Sequence, residues 1–128
     1  AVAARLQQNN PRLSADQARF LAPHWAQQIA PGEVMLNSDP RHKIVNPVLS
    51  RIEEVLACWR RITAPVLWIA GAESKARGWR ADSAAQLAER KAAFWNFREI
   101  TLAECGHMMH HDQPQQLSAV IEQFLAQP

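Results

Sequence analysis

The sequence predicts an α/β fold, specifically part of a three-layer α/β/α sandwich, and three observations carry that prediction. Residues 66–70, Val-Leu-Trp-Ile-Ala, are an unbroken apolar run between Pro65 and Gly71. A strand buried on both faces of a helix-covered parallel sheet reads this way. Residues 97–102 alternate, with Phe97 and Ile100 as the larger apolar members, and read as a second strand. Between them, Ser83 to Phe94 reads as a helix with Leu87 and Phe94 facing inward and Asp82 or Ser83 as its cap. Two strands joined through such a helix make a βαβ unit, which is right-handed in nearly every known case.

The flanking elements follow from caps and breakers. Ala1 to Asn10 reads as the tail of a helix. Ser14 opens a second helix, with Gln17 three residues on to complete a capping box. Phe20, Leu21 and Trp25 give that helix an apolar side. Pro23 lacks the N–H for the i→i−4 bond and should kink or break it, and Pro31-Gly32 should end it. Residues 33–49 read as loop, since Pro40 and Pro47 forbid continuous helix and Asn37-Ser38-Asp39-Pro40 is a turn cluster; Val34-Met35-Leu36 can form a short strand. Ser50 is the expected cap of a helix over about 51–60, whose Ile52, Val55, Leu56 and Trp59 share one face. The linker 71–82 is polar. A last helix is expected over 113–126, capped by Asp112, with Pro114 in its first turn. Its Leu117, Val120, Ile121, Phe124 and Leu125 form the cleanest amphipathic stripe in the chain.

Composition excludes several function classes. The 128 residues can bury a real core. The formal charge is only +2, from 14 basic and 12 acidic residues that are interspersed, so no nucleic-acid footprint is expected. No stretch approaches the roughly 18 apolar residues of a membrane span, and no charged segment precedes an apolar one as in a signal peptide. Cys58 and Cys105 make no disulfide framework and read as reduced thiols of a cytoplasmic protein.

Chemistry concentrates around His107. It follows a strand, a short loop and Gly106, and functional groups in open α/β sheets collect beyond the carboxyl ends of the strands. A histidine there can titrate near neutrality and shuttle a proton between a hydroxyl and a leaving group. His107 and His111 stand at i, i+4, but nothing resembles the His-Glu-x-x-His pattern, so no metal site is expected. No Gly-rich phosphate loop is present either, so no cofactor is expected and a flavodoxin-like binding domain is disfavoured. Cys105, two residues before His107, reads as a small buried thiol.

The order strand (Ala64-Pro65-Val66-Leu67-Trp68-Ile69-Ala70-Gly71), helix, strand, Glu104-Cys105-Gly106-His107-Met108-Met109-His110-His111, Pro114 and closing helix resembles the C-terminal part of an α/β-hydrolase. The resemblance divides the chain into a helical lid-like segment, 1–61, and a C-terminal part of the hydrolase core, 62–128. It implies that His107 is the catalytic histidine. The carboxylate that orients it often stands three residues after the glycine ending the earlier strand. Here that position is Ser74, and Glu73 lies one residue before it. Glu73 is therefore one candidate acid. A carboxylate after an earlier strand is another, Asp39 being a distant possibility. Such an enzyme also needs a serine on a Gly-x-Ser-x-Gly elbow, and none of the four glycines (Gly32, Gly71, Gly78, Gly106) brackets a serine at that spacing.

The expected function is thus the histidine-bearing part of an enzyme hydrolysing esters or similar small molecules. It would be inactive alone and would pair with the missing N-terminal half of the core or with itself. The alternative is a non-catalytic remnant or interaction module that pairs with another chain.

Overall fold

The computed structural model describes residues 1–49, 51–74 and 83–127. Among the described residues there are six α-helices, four strands and one 3-10 turn, and the chain forms two compact units that divide between Leu49 and Ser50.

The first unit begins with two short helices that pack on each other, α1 (Val2–Asn9) and α2 (Ala15–Trp25). The capping box at the start of α2 forms as expected: Ser14 Oγ accepts from Gln17 N–H, and Gln17 Oε1 accepts from Ser14 N–H. Leu6, Leu13, Ala18 and Ala26 are buried and make the apolar centre of this unit. Pro23 lies inside α2, which ends two residues later. Asn37 takes up carbonyls freed there: its side-chain N–H donors reach Pro23 O and His24 O, and its backbone N–H reaches Trp25 O.

Pro31-Gly32 does not end α2, as the sequence had implied. The helix gives way directly to strand β1 (Ala26–Ala30), which pairs antiparallel with β2 (Glu33–Leu36). Pro31-Gly32 is the hairpin turn between them, and Gly32 supplies the positive φ (81°) that such a turn requires. The polar pair Gln27-Gln28 hid β1, because both faces of the ribbon are largely exposed and no apolar alternation is needed. The expected strand at Val34-Met35-Leu36 lies within β2. A 3-10 turn, Pro40–Lys43, follows.

The second unit holds the parallel pair. Strand β3 (Val66–Gly71) and strand β4 (Phe97–Leu102) run parallel in unbroken register from Val66↔Phe97 to Gly71↔Leu102. Helix α4 (Ala84–Lys91) lies in the connection, giving the expected strand–helix–strand order. Its N-cap is Ser83, whose hydroxyl accepts from Gln86 N–H in a second capping box. Asp82, the other expected cap, lies outside the described residues. Helix α3 (Ile52–Trp59) precedes β3 with Leu56 buried and Ile52, Val55 and Trp59 half-buried, the expected face. Its N-cap position is Arg51, without a side-chain cap bond; Ser50, the residue expected to cap it, lies outside the described residues.

Aromatic side chains tie these elements together. Trp59 on α3 stacks on Phe94 with centroids 5.0 Å apart, Phe94 stacks on Phe97 at 5.9 Å, and Phe97 meets Trp68 at 6.3 Å. Each such pair contributes about 0.5–1.5 kcal/mol beyond its buried area. Leu56, Ala93, Leu102 and Cys105 are the buried apolar side chains among the described residues of this unit. β3 is less enclosed than a strand covered on both faces: Val66 to Ala70 are half-buried. β3 pairs with β4 alone among the described residues.

The chain closes with a four-residue helix, α5 (Met109–Asp112), and α6 (Pro114–Leu125). The expected stripe is present on α6, with Leu117, Val120 and Phe124 half-buried, but Ile121 and Leu125 stand exposed. Asp112 does not cap α6, contrary to the sequence reading. Gln113 occupies the N-cap position and makes no side-chain cap bond, because Asp112 belongs to α5 and its carboxylate is turned to a different donor.

Candidate active site

The candidate site lies where β3 and β4 end. Both strands point their carboxyl ends the same way, so the loops that follow them emerge side by side. After β3 the chain turns over Gly71–Ser74, closed by the bond from Ser74 N–H to Gly71 O (3.1 Å). Parallel pairing continues past the strand, with Ala72 N–H donating to Leu102 O at 2.9 Å. Glu73 N–H then donates to Cys105 O at 3.0 Å. The loop that carries Glu73 is thus joined by backbone hydrogen bonds to the turn that carries His107.

That join depends on Gly71. A Cβ added there would lie 2.2 Å from Gly106 O and 2.7 Å from Cys105 O, distances that real Cβ atoms do not reach. Gly71 permits this close approach for a reason of space rather than of φ.

The turn after β4 is tightly shaped. Glu104 has φ 53°, a left-handed conformation that costs a non-glycine residue about 1–3 kcal/mol. Cys105 is completely buried, and its thiol donates to Leu102 O at 3.4 Å. The expectation of a small buried thiol at Cys105 holds. Gly106 is buried, and its N–H donates to Asp112 Oδ2 at 2.8 Å. His107 follows and is exposed. Met108 and Met109 are half-buried.

The structure brings the backbones of the Glu73 and His107 segments together. Glu73 is exposed. Asp39, the more distant acid candidate, lies in the first unit, where its Oδ1 accepts from Arg41 N–H at 2.8 Å and caps the 3-10 turn. His110 and His111 lie on α5 with ring centroids 4.2 Å apart. Partial burial lowers the pKa of His111, the neighbouring His110 lowers it further, and Asp112 opposes both. Among the described residues no group of three or more His, Cys, Asp or Glu is placed to hold a metal ion. A separate open depression of about 580 Å³ in the first unit is lined by residues that include Gln27, Met35, Leu36 and Arg41, and it holds neither His107 nor Glu73. No described helix is long and apolar enough to cross a membrane.

Sequence reasoning missed two features of this site. It assigned Asp112 to the wrong helix, since a carboxylate just before Gln113-Pro114 is a good N-cap signal. It also read Gly71 only as the end of a strand. The loop separation that makes Gly71 irreplaceable is a tertiary property with no local signature.

Neither a scan against protein-family models nor a search of the curated proteins finds a significant match. Solved structures do match. One is the thioesterase domain from the curacin biosynthetic pathway (TM-score 0.75, 23% identity, covering 95% of this chain and 42% of that one). Another is E-2-(acetamidomethylene)succinate hydrolase (TM-score 0.70, 21% identity, 98% of this chain and 44% of that one). A third is an esterase of Mycobacterium tuberculosis (TM-score 0.76, 16% identity, 99% of this chain and 41% of that one). The chain therefore spans less than half the length of each of these neighbours. At such identities the likeness is one of fold, and the chain carries the fold of the C-terminal portion of an α/β-hydrolase.

Proposed function

We propose that this chain supplies the catalytic histidine of an α/β-hydrolase that cleaves esters or similar small-molecule substrates. His107 is the general base. It takes the proton of a serine hydroxyl as that oxygen attacks the substrate carbonyl, and returns it to the leaving group. Glu73 is the carboxylate we assign to orienting the imidazole, because its loop is bonded to the turn before His107. Residues 1–61 are a lid-like segment of that enzyme. The serine comes from a Gly-x-Ser-x-Gly elbow outside these 128 residues, so the chain alone has no acyl-transfer activity.

The observation that carries this reading is the pair of loops at the strand ends. The hydrogen bond from Glu73 N–H to Cys105 O, 3.0 Å, sets a carboxylate-bearing loop beside a turn whose next exposed residue is a histidine. The neighbouring folds, which are a thioesterase, an esterase and a hydrolase, support the reaction class.

The test is hydrolysis of an unactivated ester, ethyl butyrate, by the chain combined with a polypeptide that carries the elbow. His107→Ala should lower the rate of the combination by about 10⁶-fold, the loss typical of removing the triad histidine. Glu73→Gln should lower it less if a second carboxylate shares the role. A combined rate that is indifferent to His107 would remove the reading.

A further inference from the structure

One peptide unit immediately before His107 is held at both ends. Cys105 C=O and Gly106 N–H belong to the same peptide group. The carbonyl accepts from Glu73 N–H at 3.0 Å, and the N–H donates to Asp112 Oδ2 at 2.8 Å. On the far side of Gly106, its own carbonyl oxygen sits where Gly71 leaves no room for a side chain.

The partner on the N–H side is a carboxylate, and bonds to an ionised acceptor are shorter and about twice as strong as neutral ones. Drawing charge through the N–H also polarises the carbonyl at the other end of the peptide, which strengthens the bond from Glu73. Asp112 is brought to this position by the short helix α5. The bonds from His111 N–H and Asp112 N–H to Met108 O, 2.8 and 3.1 Å, fold the chain back so that a side chain six residues on reaches Gly106. The N-cap position of α6 belongs to Gln113.

We propose that Asp112 is a positioning residue for His107: by clamping the Cys105–Gly106 peptide between its carboxylate and the Glu73 loop, it fixes the direction in which the histidine leaves the turn. The proposal rests on the reading of His107 as general base. It adds to that reading a residue that acts through two hydrogen bonds on one peptide group, from Gly106 N–H to its own carboxylate and from Glu73 N–H to Cys105 O.

The test is amide hydrogen exchange together with the His107 ring resonances, followed by NMR on the full 128-residue chain. The wild type is compared with Asp112→Ala and with Asp112→Asn, which keeps an oxygen acceptor without the charge. In Asp112→Ala the amides of Gly106 and Glu73 should exchange about tenfold faster or more, the size expected for losing a bond to a charged acceptor. The His107 ring signal should broaden or double as the turn samples more than one conformation. The amides of Ile69 and Ile100, mid-ladder in β3 and β4, should keep their protection. Asp112→Asn should fall between the two.

Unchanged exchange at Gly106 and Glu73 in Asp112→Ala would overturn the proposal. So would a uniform loss across the ladder, which would make Asp112 a general stability residue, or a His107 signal that stays single and sharp. If Asp112→Ala unfolds the chain, Asp112→Asn decides by the same criteria. None of these readouts requires turnover. A clamp that behaves as described alongside hydrolysis that ignores His107 would sink the base reading and leave the clamp; the reverse result would sink the clamp alone.

Discussion

Gly71 and Gly106, 35 positions apart in sequence, are in such close contact that a methyl group on the first would lie 2.2 Å from the carbonyl oxygen of the second. The contact seals the ends of β3 and β4 together and makes one surface of two loops. Three features of the candidate site descend from it: the bond from Glu73 to Cys105, the burial of Cys105, and the emergence of His107 beside the Glu73 loop.

Gly71→Ala should therefore destabilise the chain by about 1–3 kcal/mol, the usual range for overpacking, because both obstacles are backbone carbonyls that cannot rotate away. Gly32→Ala is the contrasting case. Nothing lies within 4 Å of a Cβ there, so its cost comes only from the positive φ. Urea denaturation of the two variants separates the mechanisms. Only Gly71→Ala should also speed exchange at the Glu73 amide. Equal behaviour at Glu73 in both would contradict the account of the loop contact.

Acid should weaken the fold through His111. Its folded-state pKa is lowered, first by burial, then by His110, with Asp112 pulling the other way. The unfolded chain, with an ordinary histidine pKa of about 6.5, then binds the proton more readily than the folded one. Stability from this group is complete above that pH and is lost as the pH falls below it. His111→Gln should flatten the decline of the urea midpoint between about pH 7 and pH 5.5. A decline unchanged in the variant would assign the acid sensitivity to other groups.

Lys91 and Glu99 fasten the last turn of α4 to β4. The ammonium lies 2.6 and 2.8 Å from the two carboxylate oxygens, and the side chains retain 24% and 35% exposure. Lys91→Met should cost about 0.5–1 kcal/mol at low salt, and less at high salt because partly exposed pairs are screened. A loss that does not change with salt would mean that packing of the lysine stem, not charge, is the source.

The isolated chain should self-associate as its concentration rises. β3 has no strand on its second edge among the described residues, and Trp95, Ile121 and Leu125 expose apolar surface in the same unit. An open parallel edge and uncovered apolar faces both favour association. Light scattering should show mass increasing with concentration, and a polypeptide that completes the sheet should suppress the increase. A monomer that persists at high concentration would contradict this.

Much of this fold is legible in the sequence, for identifiable reasons. Phe97–Leu102 is found to the residue because the chain alternates there and turns follow on both sides. Ser14 announces a helix because Gln17 stands three residues later, and the capping box forms; Ser83, one of the two caps expected for the later helix, also closes a box, with Gln86. The strand at Gln27-Gln28 is not legible, since an exposed ribbon needs no apolar pattern. Nor is the role of Asp112. Local rules favour it as a cap for α6, whereas the folded chain offers it the buried N–H of Gly106, which needs an acceptor more than an exposed helix end does. Of the candidate site, the histidine position and the loop after β3 could be named from sequence order. Their joining through Gly71 depends on the parallel register of two strands and could not.

The most direct measurement is the hydrolysis of ethyl butyrate by the purified 128-residue chain, alone and with an elbow-bearing polypeptide. An unactivated ester is needed because an exposed imidazole can attack nitrophenyl esters unaided. The account predicts no rate above buffer for the chain alone, and a rate for the combination that disappears in His107→Ala. A rate from the chain alone that His107→Ala abolishes would contradict it.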